Sequence, residues 1–216
     1  MNKRYVDVCT SDKDSHSLME WVENKLCECN QMNCSRYFEA SDAYNSNLDV
    51  SAEKIPNLIN RRHFPSENEY SDSGVDKEIQ EYGSYLAKGQ ILFHGGQLSL
   101  LDGRSTDKPL STSLCLAQTK NHASKSSSEL NDLLVSSEPR YTDAPPEIWV
   151  LRVAEDYEIL GYFYSKDGAA NYKSVSSTSP PEEFEVLISS GFIVECVLPS
   201  KNIGKFVVTI ADIRLS

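Results

Sequence analysis

The chain has 216 residues, with 32 Asp and Glu against 21 Lys and Arg, giving a formal net charge of −11. Ordinary hydrophobic (39%) and charged (25%) fractions exclude collagen-like and wholly disordered classes, and the length suits one large buried core, alone or with a helical extension. The acidic balance disfavours nucleic acid as a partner, because that affinity comes largely from clustered Lys and Arg that release counterions from phosphates.

The segment from Met1 to Cys9 and the polar run after it contain no apolar stretch long enough for a signal peptide or a membrane span. The expectation is a soluble chain without Sec-type export. Cys9, Cys27, Cys29, Cys34, Cys115 and Cys196 could pair in an oxidising compartment, but with no export signal free thiols are expected. The spacing of Cys27, Cys29 and Cys34 with nearby His16 matches no two-plus-two zinc pattern, so no metal is expected.

Roughly the first 85 residues are rich in Asn, Ser, Asp and Glu, and their apolar positions recur at helical spacing. Leu18, Trp21, Val22 and Leu26 form one stripe, with Ser15 or Ser17 as candidate caps and Glu20 placed for a capping box. Such a stripe is expected to pack on the domain that follows. A short helix is expected over Lys77 to Ala87, then a strong strand from Gln90 to His94. A turn-rich stretch from Gly95 to Pro109 precedes a short strand over Leu110 to Leu116, and a surface helix is expected around Leu130 to Leu134.

Strands resume at Glu147 to Ala154. Tyr157 to Tyr164 reads as a strand or an irregular aromatic segment, and the Ser/Thr/Pro-rich run from Ser165 to Pro181 as a loop. The runs Glu185 to Ser189, Phe192 to Pro199 and Lys205 to Ile213, separated by turn residues, suggest an antiparallel meander or hairpin. Helices first and strands afterwards is an α+β order without βαβ alternation, and neither a Rossmann nor a P-loop glycine motif occurs.

Three segments carry the functional signal in this order: Ile91-Leu92-Phe93-His94-Gly95-Gly96, Leu110-Ser111-Thr112-Ser113, and Glu182-Glu183-Phe184-Glu185-Val186-Leu187-Ile188. Together they resemble the signature blocks of the mono-ADP-ribosyltransferases, in which a basic residue and Gly end the first core strand, a Ser-Thr-Ser strand follows, and a Glu-x-Glu pair precedes an apolar strand. The resemblance covers about residues 85 to 213.

It implies a split β-sandwich behind an N-terminal helical segment, divided as residues 1–85 and an NAD-binding core of residues 86–216. It also implies transfer of ADP-ribose from NAD, used as substrate, to a protein side chain, with Glu185 and Glu183 as catalytic residues. His94, Gly95, Ser111, Thr112 and Ser113 would bind NAD. Breaking the nicotinamide–ribose bond builds positive charge on the sugar, as in glycoside hydrolysis, so a carboxylate near the ribose is required. In an extended segment residues two apart point the same way, which would send Glu183 and Glu185 toward one site.

An acid at position 183 looks like the arginine-modifying subclass, where it would grip the guanidinium and take its proton. That subclass carries Arg where this chain has His94; His belongs to the diphtheria-toxin and poly(ADP-ribose) polymerase branch. The resemblance further implies an effector or toxin exported by a specialised secretion system to act in a target-cell cytoplasm. Its partners would be NAD, a protein acceptor, and a chaperone or immunity protein. Alternatives that keep the fold are a binding module without activity and an NAD glycohydrolase in which water is the acceptor.

Plainer readings stand beside each block. Glu182, Glu183 and Glu185 could form a solvated acidic turn opening an edge strand, and the Ser-Thr-Ser hydroxyls could simply bond backbone. The pair of glycines after His94 permits close approach of a ligand to the backbone. Tyr162, Phe163, Tyr164 and Tyr172 are candidates for stacking on nicotinamide, though most such rings belong to cores. Cys115 and His122 lack the spacing of a thiol–imidazole catalytic pair.

Overall fold

Helix α1 (Ser15–Glu28) forms where Leu18, Val22 and Leu26 recur on one face, and that face is buried. The computed structural model describes residues 14–28, 52–63, 70–98, 105–133, 145–163 and 185–216. The cap of α1 is Asp14, whose carboxylate accepts from the amides of His16 and Ser17 and from the Ser17 hydroxyl, in place of the serine caps expected from the sequence. Those bonds hold the Asp14 carboxyl below its ordinary range, the Ser17 amide contributing most.

Two further helices cover the other face of the sheet. Helix α2 (Pro56–His63) opens on proline, and its exposed first amides are met from outside the helix. The Glu78 carboxylate accepts from the Asn57 and Leu58 amides at 2.9 and 2.8 Å and from the Asn57 side chain at 2.7 Å. Glu78 lies on α3 (Asp72–Tyr82), capped by the Ser71 hydroxyl and ended at Gly83. The sequence placed this helix over Lys77 to Ala87; the Ser71 cap starts it five residues earlier, and after Gly83 the chain extends into the short strand β1 (Ser84–Tyr85).

The remaining strands are β2 (Ile91–Gly95), β3 (Leu110–Ser113), β4 (Glu147–Val153), β5 (Leu160–Phe163), β6 (Glu185–Ile188), β7 (Phe192–Cys196), β8 (Lys201–Ile203) and β9 (Phe206–Leu215). Helix α4 (Leu116–Leu133) follows β3 directly and begins well before the surface helix expected around Leu130 to Leu134. The strands join in the order β1-β5-β6-β3-β2-β4-β9-β7, with β8 paired to β9. Among the described strands only β4 and β9 run parallel, so this is a mixed sheet of an α+β fold. Among the described residues no helix is long and apolar enough to cross a membrane.

Of the antiparallel meander or hairpin expected over the last three runs, the pairing of the second run with the third forms, β7 lying antiparallel to β9, but the first run does not join them. β6 pairs with β3 and β5, whereas β7 pairs with β9 at the far end of the sheet. The Ser189–Gly191 link carries the chain between halves rather than folding a hairpin. There the Gly191 amide donates to the Thr106 carbonyl, the Thr106 amide to Phe192, and the Ser190 amide and hydroxyl to Asp76 on α3. Gly191 sits at φ +85°, in the left-handed region that favours glycine.

Two apolar clusters clamp the sheet. Leu18, Val22 and Leu26 of α1 share one core with Phe93, Val150, Val186 and Ile210. Leu58 and Ile59 of α2 and Val75 and Ile79 of α3 pack on Tyr162 and Leu187 in the other. Trp21 stacks on Phe93 with centroids 6.3 Å apart, so α1 braces the strand that ends in His94.

Candidate active site

The two halves of the sheet meet at β2 and β3, joined by one registered pair, Phe93 with Ser113. Beyond that pair a cleft of about 220 Å3 lies against both strands, lined by His94, Gly95, Ser111, Thr112, Ser113 and Glu185. Phe93 forms part of its wall, and Thr119 and His122 of α4 add to it. The volume is below the ~300–1,000 Å3 of ordinary small-molecule sites, so the described walls suit a small group or one part of a larger ligand.

Register decides which hydroxyl does what. Ser111 opposes Leu187 and Ser113 opposes Glu185 across β3 and β6. Opposed residues, and residues two apart on a strand, point to one face, so Ser111, Ser113 and Glu185 share a face with Leu187. Thr112 and Val186 face the α1 core. Accordingly the Ser111 hydroxyl donates to Glu185 Oε1 at 2.5 Å, while the Thr112 hydroxyl donates to the Val186 carbonyl at 2.6 Å. Ser113 Oγ accepts from the Cys115 amide at 3.0 Å and so helps turn the chain into α4. Of three hydroxyls that read alike in the sequence, that of Ser111 braces the Glu185 carboxylate, that of Thr112 donates to a backbone carbonyl, and that of Ser113 accepts from a backbone amide.

Upstream, Arg61 of α2 donates from Nη2 to the Pro109 carbonyl at 3.1 Å and fixes the start of β3. Its Nη1 is buried without a hydrogen-bond partner, 4.0 Å from Asp72.

His94 bridges the split between the strands. Its Nδ1 lies 2.8 Å from the Ser111 carbonyl, and its Nε2 is 3.4 Å from the Gln97 carbonyl. A carbonyl only accepts, so the shorter contact places the single proton of a neutral imidazole on Nδ1 and leaves a lone pair on Nε2. Burial pushes the His94 pKa below the ordinary 6.5, with nearby His122 acting in the same direction; the Ser111 and Gln97 carbonyls and Glu147 oppose the shift.

Gly95 admits a helix to this wall. A Cβ there would lie 2.5 Å from the Thr119 carbonyl oxygen and 2.9 Å from the Ala123 nitrogen, both backbone atoms of α4. The close approach that the sequence assigned to a ligand is therefore made by α4. His122, one helical turn after Thr119, is brought into the cleft lining by this contact, and sequence reasoning missed it as a site residue. Its signal was only a polar residue at i+3 from another on the helix. Cys115 is fully buried and is not among the residues that line the cleft, whereas His122 is.

Glu182, Glu183 and Phe184 lie outside the described residues, as do Tyr164, Tyr172 and the cysteines at 9, 29 and 34. Tyr162 and Phe163, candidates for stacking on nicotinamide, are core residues. Buried Cys115 and exposed Cys196 form no disulfide among the described residues.

No protein-family model matches the chain, and no curated protein matches it. Among solved structures it is similar to Vis toxin, an ADP-ribosyltransferase from Vibrio splendidus, at TM-score 0.42 and 12% identity over 93% of this chain and 86% of that one. The same ADP-ribosyltransferase in complex with the M6 inhibitor gives TM-score 0.43 and 11% identity over 93% and 86%. Its complex with agmatine gives 0.33 and 12% over 94% and 86%. The superpositions are loose, and the chemistry of the cleft rests on this chain's own residues.

Proposed function

We propose that the chain is an NAD-dependent mono-ADP-ribosyltransferase, acting on a protein side chain with arginine favoured. The observation that carries the reading is the Glu185 carboxylate, held by the Ser111 hydroxyl at 2.5 Å in one cleft with His94. A carboxylate fixed before reaction faces developing positive charge without reorganising, which is what cleavage to an oxocarbenium-like sugar needs.

In this reading the bond from ribose C1′ to the nicotinamide nitrogen breaks and its electron pair leaves with nicotinamide. Glu185 stabilises the sugar cation, and Ser111 keeps its carboxylate aimed. The Nε2 lone pair of His94 accepts from a ribose hydroxyl, and Gly95, Thr112 and Ser113 shape the wall against which the ribose and nicotinamide rest. The acceptor nitrogen then attacks C1′ and gives its proton to Glu183. An effector role, with export by a specialised secretion system and a chaperone or immunity protein as partner, belongs to the same reading.

The test uses NAD labelled in its adenylate half, incubated with the protein and a cell lysate or a small guanidine compound. Label on protein and on the guanidine is expected, with Glu185→Gln slower by about 10²–10³-fold. Free ADP-ribose alone would identify a glycohydrolase. Neither product would leave a binding module and overturn the transferase.

A further inference from the structure

The described walls of the cleft contain no Lys or Arg: their ionisable side chains are His94, His122 and Glu185. A dinucleotide nevertheless brings a diphosphate, joined through C5′ to the same ribose that would sit beside Glu185. The first phosphate must therefore lie close to these walls, in a chain whose formal charge is already −11. Glu185, on β6, repels it.

His94 is poorly suited to receive that phosphate while neutral. The tautomer assigned from the shorter contact aims its one N–H at the Ser111 carbonyl and leaves Nε2, 3.4 Å from the Gln97 carbonyl, without a proton to donate. His122 lies elsewhere on the lining. It stands on α4, which packs on β2 and is fixed there because Gly95 has no side chain to hold the helix off. An imidazole N–H can donate to a phosphate oxygen in either protonation state, and bonds to a charged acceptor are the stronger kind.

Building on the transferase reading, we propose that His122 is the binding residue for the phosphate nearest the nicotinamide ribose. The two histidines then divide the work: His94 accepts from the sugar, and His122 donates to its phosphate.

The experiment measures affinity calorimetrically for NAD, nicotinamide mononucleotide and nicotinamide riboside, the last two differing only in the phosphate. The full chain is compared with His122→Ala and His122→Arg, with thermal midpoints recorded to confirm folding. His122→Ala is expected to weaken NAD and the mononucleotide about tenfold, the loss of one hydrogen bond to a charged group, and to leave the riboside unchanged. His122→Arg, which keeps a donor and a charge, is expected to restore NAD binding. Equal loss for all three ligands, equal loss in both variants, or unchanged NAD affinity in His122→Ala would overturn the assignment while leaving the transferase reading intact. Absence of NAD binding by the unmodified protein would instead overturn that reading and the phosphate site with it.

Discussion

Replacing Ser111 by Ala removes one oxygen and tests whether the brace on Glu185 matters to the chemistry. The Ser111 hydroxyl donates to Glu185 Oε1 at 2.5 Å in a part-buried setting. A hydrogen bond to a charged group contributes about 1.5–3 kcal/mol when well shielded, and partial solvent access argues for the lower half of that range. If the bond is made equally in the ground and transition states, the cost falls mainly on the position of the carboxylate; if it strengthens as charge develops on the ribose, the full amount appears in kcat. At about 1.4 kcal/mol per decade the expected loss is roughly 10- to 50-fold in kcat, with KM for NAD little changed.

The comparison variant is Thr112→Val, which removes the neighbouring hydroxyl bonded to the Val186 carbonyl inside the core. It should cost about 0.5–1.5 kcal/mol of stability, because it removes one buried hydrogen bond, and change kcat little. The assay is nicotinamide release from labelled NAD under initial-rate conditions, with urea unfolding in parallel. Equal kcat losses in the two variants, or a normal kcat in Ser111→Ala, would refute the argument that register singles out Ser111.

Gly95→Ala should destabilise the protein by about 1–3 kcal/mol in urea unfolding, since its Cβ would meet two α4 backbone atoms that cannot rotate aside; an unchanged midpoint would mean that α4 is not held against β2. Glu78→Gln should cost about 1–3 kcal/mol of stability by weakening three bonds at the start of α2, with no direct effect on kcat at constant folded fraction. Because burial holds His94 below 6.5 in the folded protein, the unfolded chain takes up that proton first. Its contribution to stability is therefore complete above pH 6.5 and is lost as pH falls through 6.5 toward the depressed folded value, by at most about 1.4 kcal/mol per pH unit for one proton. Thermal midpoints measured from pH 8 to pH 5 should fall less steeply in His94→Gln than in the unmodified protein, and parallel curves would remove His94 as a source of acid sensitivity.

The α+β composition, the strands around Ile91, Glu147 and Phe206, and the apolar stripe of α1 were legible in the sequence, because each is a local periodicity written in neighbouring residues. Glu185, His94 and Ser111 stood out there by residue type alone, and it is the fold that brings them to one cleft. Periodicity carries no information about which strand lies beside which, however, and the meander expected after Glu185 is instead divided between opposite halves of the sheet. Helix boundaries also turned on contacts that the local pattern could not show: Asp14 caps α1, and Glu78 reaches the start of α2 from 20 residues away. Most decisive is the pairing of β3 with β6. A one-residue change of register would turn Ser111 away from Glu185 and bring Thr112 to it, so the sequence supplied three similar hydroxyls and tertiary structure gave Ser111 and Thr112 different partners. His122 entered the cleft for the same reason: only the packing of α4 on Gly95 turns that residue inward, and no sequence spacing encodes a contact between a helix and a strand so far apart in the chain.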